Sequence, residues 1–167
     1  MNKAVILQGS SRSNGDTHII VNELNKYNQF DVIDLKTKNI GHFEYDYSNA
    51  NDDFIPMMED VISKYDTIIF ATPVYWYNMS GILKVFFDRV SDLLHYKKDL
   101  GRQLRGKNMA MISNNNYDDL KEGFSMPFKE AANYLSMNYL GDTHTWVENE
   151  IINPVAVDRI DAFRKLL

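Results

Sequence analysis

Between an apolar run, Ala4 to Leu7, and a helical pattern starting near Thr17, the chain reads Gly9-Ser10-Ser11-Arg12-Ser13-Asn14-Gly15-Asp16-Thr17. Glycine and small hydroxyl residues let a backbone come close to an oxyanion. Ser10, Ser13 and Thr17 offer O–H donors, Arg12 offers a fork of N–H groups, and the helix that follows aims its free amides and positive dipole end at the turn. The stretch, with Gly15 and Asp16 inside it, predicts a phosphate cradle at a strand-to-helix turn. An ordinary Ser/Asn/Gly turn with a capped helix is the competing reading. A second cluster, Thr72-Pro73-Val74-Tyr75-Trp76-Tyr77-Asn78-Met79-Ser80-Gly81, sets three successive aromatics behind a proline just before a helical pattern. Pro73 stiffens this loop, and the amides of Val74 to Tyr77 are expected to be free for the acceptors of a flat ring. Packing of Tyr75, Trp76 and Tyr77 into a core or a subunit seam is the alternative, and Ser80 reads more simply as a helix cap.

The elements that must carry these clusters follow from the pattern. Runs at Ala4 to Leu7, Phe30 to Asp34, Thr67 to Ala71 and Met109 to Ser113, with a more alternating one at Thr143 to Val147, read as five strands. Helical spacings separate them: Ile20, Leu24 and Tyr27; then Leu83, Phe86, Phe87, Val90 and Leu94; then Phe128, Ala131, Ala132 and Leu135. A last helix is expected from Asp158 to Leu167. Alternating strands and helices predict an α/β three-layer sandwich with a five-stranded parallel sheet in the flavodoxin-like order 2-1-3-4-5, forming a single domain over 1–167. Ligands of such sheets sit beyond the carboxyl ends of the strands, where the connections switch direction. Three loops then meet at one rim: the phosphate turn, the aromatic loop, and the stretch Ser113-Asn114-Asn115-Asn116-Tyr117. The aperiodic segment Lys36 to Asp53 reads as a long surface loop, lining a substrate opening or serving no function.

Composition narrows the chemistry. The 167 residues contain no cysteine and carry a net charge of −5, with ten tyrosines and nine phenylalanines. The absence of cysteine removes thiolate nucleophiles, iron–sulfur ligation and cysteine-containing zinc sites, so redox chemistry must come from a bound cofactor. The acidic balance argues against nucleic acid and membrane surfaces, leaving small molecules as the expected partners. No leader or membrane-spanning stretch is read, which suggests a cytoplasmic protein. His42, His95 and His144 share no metal-like spacing, and no metal site is expected. His18 reads as a surface histidine or a helper to the phosphate.

A phosphate seat and a flat-ring shelf in a flavodoxin-like sheet together specify a flavin mononucleotide (FMN) site. At these loops the chain resembles the NAD(P)H-dependent FMN reductase family. The first loop is similar to that family's Gly-Ser-x-Arg-x-x-Gly-x-Thr motif. Thr72 to Trp76, Met79-Ser80-Gly81, Leu83-Lys84, Phe86 and Asp88-Arg89 are similar to its flavin-ring motif and following helix. The resemblance implies that Ser10, Arg12, Gly15, Asp16 and Thr17 surround the phosphate, that Pro73, Val74, Tyr75, Trp76 and Tyr77 line the ring, and that the loop from Ser113 through Asn114 and Tyr117 flanks its other edge. It departs from the family in carrying asparagines where glycines are common in the third loop.

The implied activity is transfer of a hydride from NADPH or NADH to the flavin and on to a small acceptor such as a flavin or quinone, with no side-chain catalyst. A non-enzymatic flavodoxin-type electron carrier and a cofactor-free binding module are the alternatives. A carboxylate beside a phosphate is repulsive, so Asp16 is expected to turn away and cap its own helix. The broad apolar girth of the helix around Leu83 to Leu94 suggests a homodimer or homotetramer, with Asp88-Arg89 as an inter-subunit contact or a solvated pair.

Overall fold

The computed structural model describes residues 3–167. Strands β1 (Ala4–Gln8), β2 (Asp31–Asp34), β3 (Thr67–Pro73), β4 (Asn108–Asn115), β5 (Asn138–Glu148) and β6 (Ile151–Ile152) form one sheet in the order β2-β1-β3-β4-β5-β6. The first five are parallel, in the expected 2-1-3-4-5 order. The sixth was not anticipated: the tight turn after Glu148 folds Ile151 and Ile152 back antiparallel onto β5.

Period-two burial builds the two cores. Val5, Leu7, Ile68, Phe70, Met109 and Met111 face one side, where they meet α2 (Phe54–Lys64), α3 (Gly81–His95) and α5 (Met126–Tyr134). Ala4, Ile6, Ile69, Ala71, Ala110 and Ile112 face the other and are covered by α1 (Asp16–Leu24) and α6 (Pro154–Arg164). Phe70 of the sheet, Phe86 and Phe87 of α3, and Phe128 of α5 pack with centroids 4.9–6.1 Å apart. Such pairs contribute about 0.5–1.5 kcal/mol each beyond their buried area.

Several boundaries differ from the sequence expectation. α1 stops at Leu24, and Tyr27 lies exposed in the following turn. α2, whose apolar face is Phe54, Met58, Val61 and Ile62, was not singled out. The strand read from Thr143 begins at Asn138, because Gly141, at φ 144°, accommodates a bulge opposite Met109 and Ala110 that the 143–147 alternation does not reveal. The last helix starts earlier, at Pro154, with Asn153 accepting the Val155 amide as its cap. A short α4 (Lys98–Arg102) lies against α3 so closely that a Cβ on Gly101 would fall 2.1 Å from the Leu93 carbonyl oxygen.

Candidate active site

The helix α3 and the first loop are locked together at their start. Ser80 caps α3 by accepting the Leu83 amide at 3.1 Å, and its own hydroxyl donates to the Gly9 carbonyl at 2.5 Å. A Cβ at Gly9 would lie 2.8 Å from Leu83 Cβ, so glycine is what lets helix and turn approach. The Gly9 amide donates to Ala71 O and the Val74 amide to Asn114 O, both at 2.8 Å. Side chains complete the bracing: Thr17 Oγ1 donates to Asn114 Oδ1 at 2.8 Å, and the hydroxyls of Ser11 and Tyr75 meet at 2.9 Å. The three loops expected to converge do so, at the carboxyl ends of β1, β3 and β4.

They enclose a cleft of about 380 Å³, within the range of about 300–1,000 Å³ usual for small-molecule sites. Ser10, Arg12, Asp16 and Thr17 line one end, Pro73, Val74 and Tyr75 one wall, and Asn114 and Tyr117 the other. Asn115 and Asn116, which the sequence placed in the third loop without singling them out as ligands, also line it. Five candidates lie outside this cleft. Ser13 is exposed and Gly15 is buried behind the turn as the first residue of the helix cap. Ser113 is buried and donates within the protein, whereas Trp76 and Tyr77 face a neighbouring cleft.

Three details at the phosphate end depart from expectation. Asp16 does not cap α1; Gly15 holds the cap position and supplies no side-chain acceptor. The Asp16 carboxylate faces the cleft, 3.8 Å from the Arg12 guanidinium, because it sits in the first helical turn, one residue too late to reach back to its amides. The Thr17 hydroxyl proton is committed to Asn114. What remains is an uncapped helix start: the Asp16 and Thr17 amides have no partner among the described residues, and the Ser10 hydroxyl is buried beside Arg12, whose amide it accepts at 3.3 Å. An anion fits this arrangement.

The aromatic loop is a tight turn with mutual hydrogen bonds between Tyr75 and Asn78. Trp76 at φ 49° and Tyr77 at φ 63° are both left-handed, the geometry of a type I′ turn usually given to Asn-Gly. Each such residue costs about 1–2 kcal/mol relative to an ordinary backbone. Two of the four amides expected to be free are occupied, since Val74 donates to Asn114 and Tyr75 to Asn78. Those of Trp76 and Tyr77 are unpartnered among the described residues.

The third loop is held by a residue that sequence reasoning passed over. His144 lies opposite Ser113 in the β4–β5 register; its Nδ1 is 2.9 Å from Ser113 Oγ and its Nε2 is 3.1 Å from the Tyr117 carbonyl. A carbonyl can only accept, so Nε2 carries the proton and the Ser113 hydroxyl donates into Nδ1. Burial holds the imidazole's pKa below the ordinary histidine value, outweighing the Tyr117 carbonyl and Asp118, which favour the cation. Beside it, Arg159 grips Asp118 through both oxygens at 2.8 Å. Only the strand register could have shown this strut.

Arg89 corrects another expectation. It is neither a subunit contact nor solvated, but 1% exposed inside the fold. It donates to Asp52, to Asp92 Oδ2 at 2.8 Å, and to the carbonyls of Gly41 at 3.0 Å and Asn49 at 3.1 Å, and so pins the 36–53 loop onto α3. Asp92 Oδ1 is buried without a partner among the described residues. Asp88, by contrast, pairs with Lys84 at the surface. Among the described residues no cluster of three or more acids or histidines could hold a metal ion, and no helix is long and apolar enough to cross a membrane.

The chain is similar to known proteins in sequence and in fold. The chain is 26% identical over 154 residues to YwqN of Bacillus subtilis (strain 168), provisionally named an NAD(P)H-dependent FMN-containing oxidoreductase, with 83% of this chain and 82% of that protein covered. In structure it is similar to the Trp repressor binding protein of Bacillus subtilis, with TM-score 0.77, 22% identity and coverage of 99% and 97%. It is also similar to general stress protein 14 of Treponema denticola, solved in complex with FMN, with TM-score 0.67, 16% identity and both chains covered in full (100% each). The family profile described as NADPH-dependent FMN reductase matches residues 2–143, most of the sequence and all three rim loops. The chain belongs to the NADPH-dependent FMN reductase family.

Proposed function

We propose that this protein is an FMN-dependent NAD(P)H oxidoreductase whose cofactor lies in the three-loop cleft. The carrying observation is that an uncapped helix start with Ser10 and Arg12, a Pro-stiffened apolar wall, and an amide-rich third loop share one cavity. The residues fit the group. The amides of Asp16 and Thr17, the Ser10 hydroxyl and Arg12 suit its phosphate, Pro73, Val74 and Tyr75 its ring, and Asn114 and Tyr117 the opposite edge. Ser13, Gly15 and Ser113 act one step back, by shaping the turn and the third loop, while Trp76 and Tyr77 offer their free backbone amides.

FMN, when bound, supplies the hydride-accepting and hydride-donating chemistry. The protein's own contribution is positional. Cross-bonding of the loops through Thr17, Asn114, Ser11 and Tyr75 fixes the cleft before any ligand arrives, which reduces the ordering cost of binding. The unpartnered amides stand ready for negative charge without reorganising. A small acceptor such as a quinone or free flavin completes the cycle. We further propose a single domain working in the cytoplasm as a homodimer, the half-buried apolar flanks of α3 (Ile82, Val85 and Val90) supporting self-association.

The test is a visible spectrum of the purified protein followed by anaerobic addition of NADPH or NADH. Flavin bands that bleach on addition are expected. Bound flavin that neither nucleotide bleaches would favour the electron-carrier reading, and a colourless protein that takes up no FMN would end the proposal.

A further inference from the structure

FMN ends at its phosphate, but the space at that end of the cofactor cleft does not. Beyond the start of α1 lies a second hollow of about 520 Å³, larger than the cofactor cleft of about 380 Å³. Arg12, Asp16, Asn116 and Tyr117 line both, so the two communicate at the phosphate seat. The far wall of the second hollow is the turn between β5 and β6, where Glu148, Asn149 and Glu150 are exposed and neither glutamate has an ion-pair partner among the described residues. At the junction the Tyr117 backbone is fixed on both sides, its amide donating to Asn115 Oδ1 at 2.6 Å and its carbonyl accepting from His144 Nε2 at 3.1 Å. The Tyr117 ring itself is 67% exposed.

We infer that this chain binds FAD as well as FMN, with the adenosine half of FAD in the second hollow. The inference rests on the first cleft being the flavin site with its phosphate at the start of α1. A seat for a phosphate monoester alone closes around the terminal oxygens; here the terminal side opens into a hollow whose volume is ordinary for a small-molecule site. Arg12, its side chain 68% exposed and held only by Asp16 at 3.8 Å, stands at the junction, where one guanidinium fork can bridge two successive phosphates. Asp16 favours the same reading. A phosphate monoester carries a charge of about −1.5 to −2, whereas each phosphate of FAD is a diester with a single charge, which a neighbouring carboxylate repels less. Past that point the walls change from donors to acceptors. The carboxylates of Glu148 and Glu150 suit the two hydroxyls of a ribose, as acidic side chains do in dinucleotide sites, and disfavour any further phosphate. The exposed face of Tyr117 is a shelf for a base.

The test is calorimetric titration of the full chain, freed of flavin, with FMN and with FAD, in wild type and in Glu148→Trp, which fills the second hollow from an exposed position at the end of β5. Wild type is expected to bind FAD within about threefold of FMN or more tightly. Glu148→Trp should weaken FAD by about tenfold or more and leave FMN within about twofold. A second measurement needs no variant: amide hydrogen exchange across 147–151 should slow in the FAD complex relative to the FMN complex, because only the adenosine reaches that turn. FAD binding more than about tenfold weaker than FMN in wild type would overturn the inference. So would equal exchange across 147–151 in the two complexes, or a Glu148→Trp protein that keeps FMN and loses no affinity for FAD. Wild type that takes up neither flavin would instead show that the cofactor reading itself had failed.

Discussion

Replacing Arg89 by Met tests whether a buried cation holds the long loop in place. The change keeps most of the side-chain length but removes five N–H donors, leaving Asp52 and Asp92 as buried carboxylates and the Gly41 and Asn49 carbonyls without their donor. Removing one partner from a buried ion pair costs about 3–5 kcal/mol, because the charge left behind is uncompensated. Against a total stability of about 5–15 kcal/mol that is a large share. With a urea slope of about 2 kcal/mol/M, the unfolding midpoint should fall by about 1.5–2.5 M. Hydrogen exchange should quicken first within 39–53, whose Asp53 amide bonds to Asn39 O beside the clamp. A midpoint shift below about 0.5 M would refute the reasoning. Neutralising both acids as well, in Arg89→Met with Asp52→Asn and Asp92→Asn, should recover part of the loss. The clamp also sets a pH dependence. Burial opposes the Asp52 charge, but the Arg89 hydrogen bonds and the Phe54 and Gly41 amides prevail and hold its carboxyl below the usual range. A depressed folded pKa gives stability that is full above the unfolded carboxylate value and drains as pH falls through the folded one, so the wild-type advantage over Arg89→Met should shrink below about pH 4.

Asp16→Asn removes a negative charge that faces the cleft and releases Arg12 from its 3.8 Å partner, so FMN affinity measured by fluorescence titration should hold or improve; a loss beyond about tenfold would contradict that electrostatic reading. His144 is a base whose folded pKa is lowered, so its contribution to stability is complete above its ordinary value near 6.5 and declines as pH falls toward the folded value; melting temperatures of wild type should drop below about pH 6.5 more steeply than those of His144→Gln, and equal slopes would count against the strut. Gly101→Ala places a methyl 2.1 Å from a backbone oxygen and should cost about 1–3 kcal/mol in chemical denaturation, whereas a neutral result would mean that α4 is free to shift.

The parallel sheet was readable because each central strand is a short apolar run with Val5, Leu7, Ile68 and Phe70 alternating against Ile6, Ile69 and Ala71. The convergence of the phosphate turn and Pro73 loop followed from strand order alone. What escaped was information that exists only in register and depth. His144 matters because it lies across from Ser113, and Arg89 because α3 buries it against a loop some forty residues earlier; a sequence shows neither. The division of the aromatics was equally hidden. Pro73, Val74 and Tyr75 continue the strand into one cleft, but the left-handed backbone at Trp76 and Tyr77 turns their side chains into the next, a conformation unusual for bulky residues.

The central claim is that one cleft holds both ends of FMN, and the position of the cofactor in a crystal of the complex measures it directly. The account predicts the phosphate within hydrogen-bond distance of the Ser10 hydroxyl and the Thr17 amide, with the ring along Pro73 to Tyr75 and facing Asn114. Flavin density elsewhere on the molecule, or a phosphate directed away from the start of α1, would contradict it.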